Sequence, residues 1–144
     1  MHQRGTKPAF LIVDMSLDLD LDIGFDSQAG RKRVNEDFAG MQLPGPGEGG
    51  HGAIAAIADG VSTGGFGAEA AQTSVTSVVR DYYGTPAAWD STVALDRVIA
   101  AQNAWLAGTN RRRAPASGLT TLTVLVLRGH GWSLAHVGDT RAYL

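Results

Sequence analysis

From Ala68 to Tyr83 the chain carries neither glycine nor proline, while glycines crowd residues 45–52, 60–67 and 129–138. Within that uninterrupted stretch Ala71, Val75, Val78, Val79 and Tyr82 recur at helical spacing, which predicts an amphipathic helix. After the Gly84-Thr85-Pro86 break a second helix is expected. In it Trp89, Val93, Val98, Ala101, Ala104 and Trp105 share an apolar stripe, and Gly108 is the stop. So short a link between two helices implies an antiparallel pair. Arg111-Arg112-Arg113 then reads as a solvated connection.

Strand signals flank the helices on both sides. Leu17, Leu19, Leu21, Ile23 and Phe25 alternate with polar residues or glycine, the two-residue period of a half-buried strand. Phe38 to Leu43 predicts another strand. Ala53 to Ala58 is a continuous small and apolar run, as in a strand buried on both faces. Leu119 to Leu127, a turn at Arg128–Gly131, and Trp132 to Val137 predict a hairpin. Strands, two helices, then strands is an α+β order, and residues 1–144 are about one domain in length.

Composition narrows the functions available. With 44% hydrophobic and 18% charged residues and a net charge of -2, the chain is neither disordered nor a nucleic-acid binder by charge, since its two arginine-rich clusters are short. There is no cysteine, which excludes disulfides, thiolate metal sites and a cysteine nucleophile. The run Ala9–Val13 ends at Asp14, too short for a signal-peptide core or a membrane span. The expectation is a cytoplasmic protein with no membrane insertion.

Three acidic loci stand beside the apolar runs: Asn35-Glu36-Asp37, Ala58-Asp59-Gly60 and Gly138-Asp139-Thr140-Arg141. Carboxylates at strand ends suit hard dications, which take oxygen ligands and keep several waters. Asp18, Asp20 and Asp22 do not form a calcium loop of the EF-hand type, because its sixth and twelfth positions are Ile23 and Ala29 rather than Gly and Glu.

Order and context give the loci more weight than each has alone. A basic turn, Asn-Glu-Asp, a buried run into Ala-Asp-Gly, a Gly-rich loop opening a helix, then Thr-Thr-Leu-Thr-Val-Leu-Val and Val-Gly-Asp-Thr-Arg-Ala-Tyr follow one another. This order resembles the metal-dependent protein phosphatases of type 2C, from about Gly24 to Leu144, or roughly the amino-terminal half of such a catalytic domain. Asp81-Tyr82-Tyr83, Ala88-Trp89 and Asn103-Ala104-Trp105-Leu106 are also similar to the phosphatase part of bacterial proteins that join a phosphatase to a kinase.

The resemblance implies antiparallel sheets packed as a partial β-sandwich, flanked by a helix pair, with two Mn2+ or Mg2+ ions at one edge. It implies hydrolysis of phosphoserine and phosphothreonine in protein substrates by a metal-activated water, with a kinase region in the same longer polypeptide. Carried over by motif, Glu36, Asp59 and Gly60 would hold the metals, Asp37 would orient the water, and Asp139 would serve a third, weaker ion. Where most members place a phosphate-binding arginine, this chain has Lys32 between Arg31 and Arg33. Val61 and Ser62 follow Asp59-Gly60, so the histidine proposed as general acid in some members has no counterpart there. Two further Asp ligands come from the family's carboxy-terminal half, beyond the counterpart of Leu144. The expectation is an incomplete domain, and a catalytically inactive, partner-binding pseudophosphatase is the alternative.

Overall fold

The computed structural model describes residues 20–143. Its elements are β1 (Asp37–Gln42), β2 (Ala53–Thr63), α1 (Gly67–Tyr83), α2 (Ser91–Arg113), β3 (Ser117–Thr120), β4 (Leu122–Arg128) and β5 (Gly131–Val137). All pairings are antiparallel, in the order β1-β2-β4-β5, with β3 beside the far half of β2. The α+β class, the antiparallel sheet, the helix pair and the β4–β5 hairpin are as expected. Among the described residues the strands make one sheet, and both helices cover one face of it.

Side-chain size explains that packing. Ile54, Ala56 and Ala58 on β2 and Leu122, Val124 and Val126 on β4 form a buried face with Ala71, Val75, Val78 and Val79 of α1. The small residues of β2 and Gly40 of β1 let the helix approach closely. A β-carbon on Gly40 would stand 2.9 Å from Val75 Cγ1. Fully burying each Val, Leu or Ile here stabilises the fold by roughly 1.5–3 kcal/mol. Ala53–Ala58 is not buried on both faces, however. Ile57 is 41% exposed because it points away from the helices, where no second layer lies among the described residues.

The helices run antiparallel, as their cross-contacts show: Arg113 Nη2 to Glu69 Oε1 at 2.8 Å, Gln102 Nε2 to Ser74 Oγ at 3.3 Å, and Tyr82 Oη to Ser91 Oγ at 3.4 Å. Asp90 caps α2 by accepting from the Thr92 amide and hydroxyl, bonds that hold its carboxyl below the usual range. Helix α2 does not stop at Gly108, and Arg111–Arg113 is its last turn. A mid-helix glycine costs about 1 kcal/mol, which tertiary bonds offset. Asn110 bonds both the amide and the carbonyl of Gly118, and Arg113 reaches Glu69 and lies 4.4 Å over the Phe66 ring. The buried stripe is Ser91, Ala94, Leu95, Val98 and Thr109, which shares only Val98 with the expected one, and Trp105 is 46% exposed.

The expected strand over Leu17–Phe25 is not formed in its described part, residues 20–25, and Leu17 to Leu19 lie outside the described residues. Alternation fixes which face a strand could bury but supplies no partner, and no strand pairs with this stretch. Phe25 is consequently 71% exposed.

Tyr82 ties the helix pair to the loop before β2. It is 1% exposed and donates to the His51 carbonyl at 2.9 Å, while its ring packs edge-on to His51 and Tyr83. Tyr83, whose phenol is pushed up to about 12, chiefly by burial, stays a donor in reach of the Gln42 and Gly52 carbonyls. Tyr82→Phe keeps the ring and leaves a buried carbonyl without its donor. The expected loss is about 1–2 kcal/mol in urea unfolding. No loss would mean that water replaces the hydroxyl.

Candidate active site

Strand β2 changes partners in its middle. Its first half pairs with β1 and β4 and its second half, Gly60–Thr63, with β3, so Asp59-Gly60 sits at the junction rather than at a strand end. Thr121 occupies the one-residue gap between β3 and β4. It substitutes for a regular ladder there: the Asp59 amide donates to Thr121 Oγ1 at 2.9 Å, and the Thr121 amide donates to the Asp59 carbonyl at 3.0 Å. The Thr120 hydroxyl donates to that same carbonyl at 3.2 Å. Thr120 and Thr121 thus position the Asp59 backbone. A polar pair in an otherwise apolar strand run is the signal that points to it.

Asp37 stands directly opposite Asp59 in the β1–β2 register, so both side chains leave the sheet on the face away from the helices. Asp139 and Thr140, just beyond β5, line the same cavity of about 460 Å³, whose other wall includes Phe25, Asp26, Ser27 and Gln28. The Asp59 carboxyl lies above its ordinary range. Burial is the main cause, followed by a hydrogen bond with Asp37, the Asp37 charge and, more weakly, the Asp139 charge, with Lys32 opposing them. Asp59 Oδ1 is buried without a hydrogen-bond partner among the described residues. The protein thus gathers negative charge here and compensates little of it.

The neighbouring residues face the other way. The Gly60 amide donates to the Glu36 carbonyl at 3.0 Å, and a β-carbon on Gly60 would collide with the Gly67 carbonyl. The Glu36 carboxylate lies against Gly67, the first residue of α1. An anionic side chain is favoured at a helix amino terminus, and Phe66 provides no side-chain cap there. The structure therefore lines one cavity with Asp37, Asp59 and Asp139 and places the Glu36 carboxylate against Gly67, the residue that packs on Gly60. Lys32 is within electrostatic reach of Asp59, and Arg31 and Arg33 are exposed on the same turn.

Among the described residues no group of three or more His, Cys, Asp or Glu side chains lies close enough to hold a metal ion. Two facing carboxylates, one with an orphaned buried oxygen, do fit a dication that keeps most of its waters, which is how Mg2+ is commonly held.

Compared with solved structures, the chain is similar to the Mycobacterium tuberculosis serine/threonine phosphatase PstP/Ppp, with a TM-score of 0.59 and 24% identity. The match covers 75% of this chain and 42% of that one, so the chain spans less than half of that protein's length. The likeness shows the fold, and that fold is the type 2C-like arrangement that the motif order implies. No protein-family model matches the chain, and no curated protein matches it. No helix among the described residues is long and apolar enough to cross a membrane.

Proposed function

We propose that this chain supplies part of the catalytic site of a metal-dependent protein serine/threonine phosphatase of the type 2C kind, as the amino-terminal half of that domain. The observation that carries the reading is Asp59, facing Asp37 across two paired strands in one cavity, with a carboxylate oxygen that no described residue satisfies. Its setting in a fold like that of a serine/threonine phosphatase supports the choice of reaction.

In this reading Asp37 and Asp59, with the Gly60 carbonyl, would hold Mn2+ or Mg2+, Glu36 would join them, and Asp139 would serve a third, weaker ion. Such ions supply an acidified water and neutralise phosphate oxygens, so no protein nucleophile is needed. Asp37 orients the attacking water through a hydrogen bond. Lys32 attracts the phosphate as a point charge, with Arg31 and Arg33 reinforcing the field of that turn. The substrate class is phosphoserine and phosphothreonine proteins, and a kinase region in the same polypeptide remains part of the proposal. A cysteine-free chain suits a cytoplasmic setting.

Release of inorganic phosphate from p-nitrophenyl phosphate, dependent on Mn2+ and lost in Asp59→Asn, tests the reading. Absence of any Mn2+ binding would overturn it. The lack of a three-ligand cluster among the described residues favours a second reading, a pseudophosphatase that binds phosphorylated partners without turnover. Retention of a phosphothreonine peptide with no phosphate release would select that one.

A further inference from the structure

Thr123 is the most buried polar side chain on the face of the sheet that the helices leave open, at 4% exposure beside the exposed Ile57 and Leu134. Two hydroxyl and imidazole partners account for its burial. His136, its register partner on β5, places Nδ1 2.8 Å from Thr123 Oγ1, and Thr140 places its own Oγ1 at 2.6 Å. Thr140 follows the cavity-lining Asp139 and comes three residues after β5 ends at Val137.

The return of the chain needs a glycine. Gly138 has φ +102°, and a β-carbon there would stand 2.5 Å from Thr121 Cγ2, so the turn passes directly over the residue that holds the Asp59 backbone. Asp139 is exposed, and among the described residues no hydrogen bond holds its carboxylate. Its position is instead set on either side, by the Gly138 turn and by the hydroxyl of Thr140.

We infer that His136, acting through Thr123 and Thr140, is a positioning residue that clamps the Gly138–Thr140 turn over the sheet and so holds the Asp139 carboxylate at the Asp37–Asp59 cavity. The consequence for cation binding rests on the function proposed above, whereas the clamp itself does not. Among the described residues only Nδ1 of the ring has a partner. Asparagine can place an amide atom where Nδ1 lies, and leucine cannot.

Backbone 15N relaxation of the metal-free protein tests the clamp. His136→Leu, and independently Thr140→Val, should raise the nanosecond mobility of Gly138–Thr140 while β5 stays rigid, and His136→Asn should restore order. Calorimetric titration with Mn2+ tests the consequence. His136→Leu should weaken binding about 10-fold, as loss of an outer-sphere positioning contact commonly does, and should have no further effect when Asp139→Asn is already present. Unchanged mobility in both clamp variants, or an equal loss of affinity with and without Asp139, would overturn the inference. Absence of Mn2+ binding by the unaltered chain would instead remove the proposed function, and the relaxation result would still decide the clamp.

Discussion

Gly60→Ala is expected to destabilise the protein by about 3 kcal/mol, the upper end of what overpacking costs. The added methyl would meet the carbonyl oxygen and carbon of Gly67 and, at 2.9 Å, the carbonyl oxygen of Glu36. All three are backbone atoms, so no side chain can rotate out of the way. Retreat of α1 is resisted by its buried face, which packs Ala71, Val75 and Val78 against β2 and β4. Retreat of the Glu36 segment would break the bond from the Gly60 amide. Gly24, with nothing within 4 Å of its β-carbon position, is the control, and Gly24→Ala should change stability by less than about 0.5 kcal/mol. Guanidinium unfolding of the two variants makes the comparison. Equal midpoints would show that α1 does not seat on Gly60 as described.

The second large effect concerns Asp59→Asn, which should lower Mn2+ affinity by at least about 100-fold. Residues that merely orient a ligand are already worth roughly 10- to 100-fold, and removing a charged ligand exceeds that. The same substitution should make the metal-free protein slightly more stable at neutral pH. Burial, together with the Asp37 and Asp139 charges, raises the Asp59 carboxyl above its ordinary range. In the window between those two values the unfolded chain has already released this proton and the folded chain retains it. The stability contributed by the group therefore falls as pH rises through the window. Above the window the folded state carries a disfavoured charge that asparagine lacks, so Asp59→Asn should melt about 2 °C higher at pH 7, a small shift because partial exposure screens the repulsion. Below the window the advantage should vanish. A residue that lowers stability while preparing a binding site follows the usual trade between the two. Loss of stability in Asp59→Asn at pH 7 would contradict this electrostatic account.

What the sequence made legible follows from how local each signal is. Helix α1 is readable because one face repeats without interruption, and the β4–β5 hairpin because Gly129 and Gly131 punctuate two apolar runs. The extent of α2 was not readable past Gly108, since Asn110 and Arg113 hold its end through Gly118, Glu69 and Phe66, partners distant in sequence or on other elements. The alternation at Leu17–Phe25 predicts a strand in isolation, and its described part, residues 20–25, finds no partner strand among the described residues. At the candidate site, motif order singled out Glu36, Asp37, Asp59, Gly60 and Asp139, and what it could not show is that the β1–β2 register and the Gly138 turn place Asp37, Asp59 and Asp139 on one cavity. Thr121 is legible only as half of a polar pair in an apolar run, and Gly67 carried no signal, since what a β-carbon there would strike is not encoded in a linear pattern.

Asp37 and Asp59 converge on one cavity and, in the proposed function, together receive a dication. Paramagnetic broadening of a 1H–15N spectrum by substoichiometric Mn2+ tests it most directly. The amides of Asp37, Asp59 and Gly60 should broaden first, and the effect should disappear in Asp59→Asn. Broadening confined to the acidic stretch Asp20–Asp26, or none at concentrations that saturate ordinary carboxylate pairs, would contradict the account.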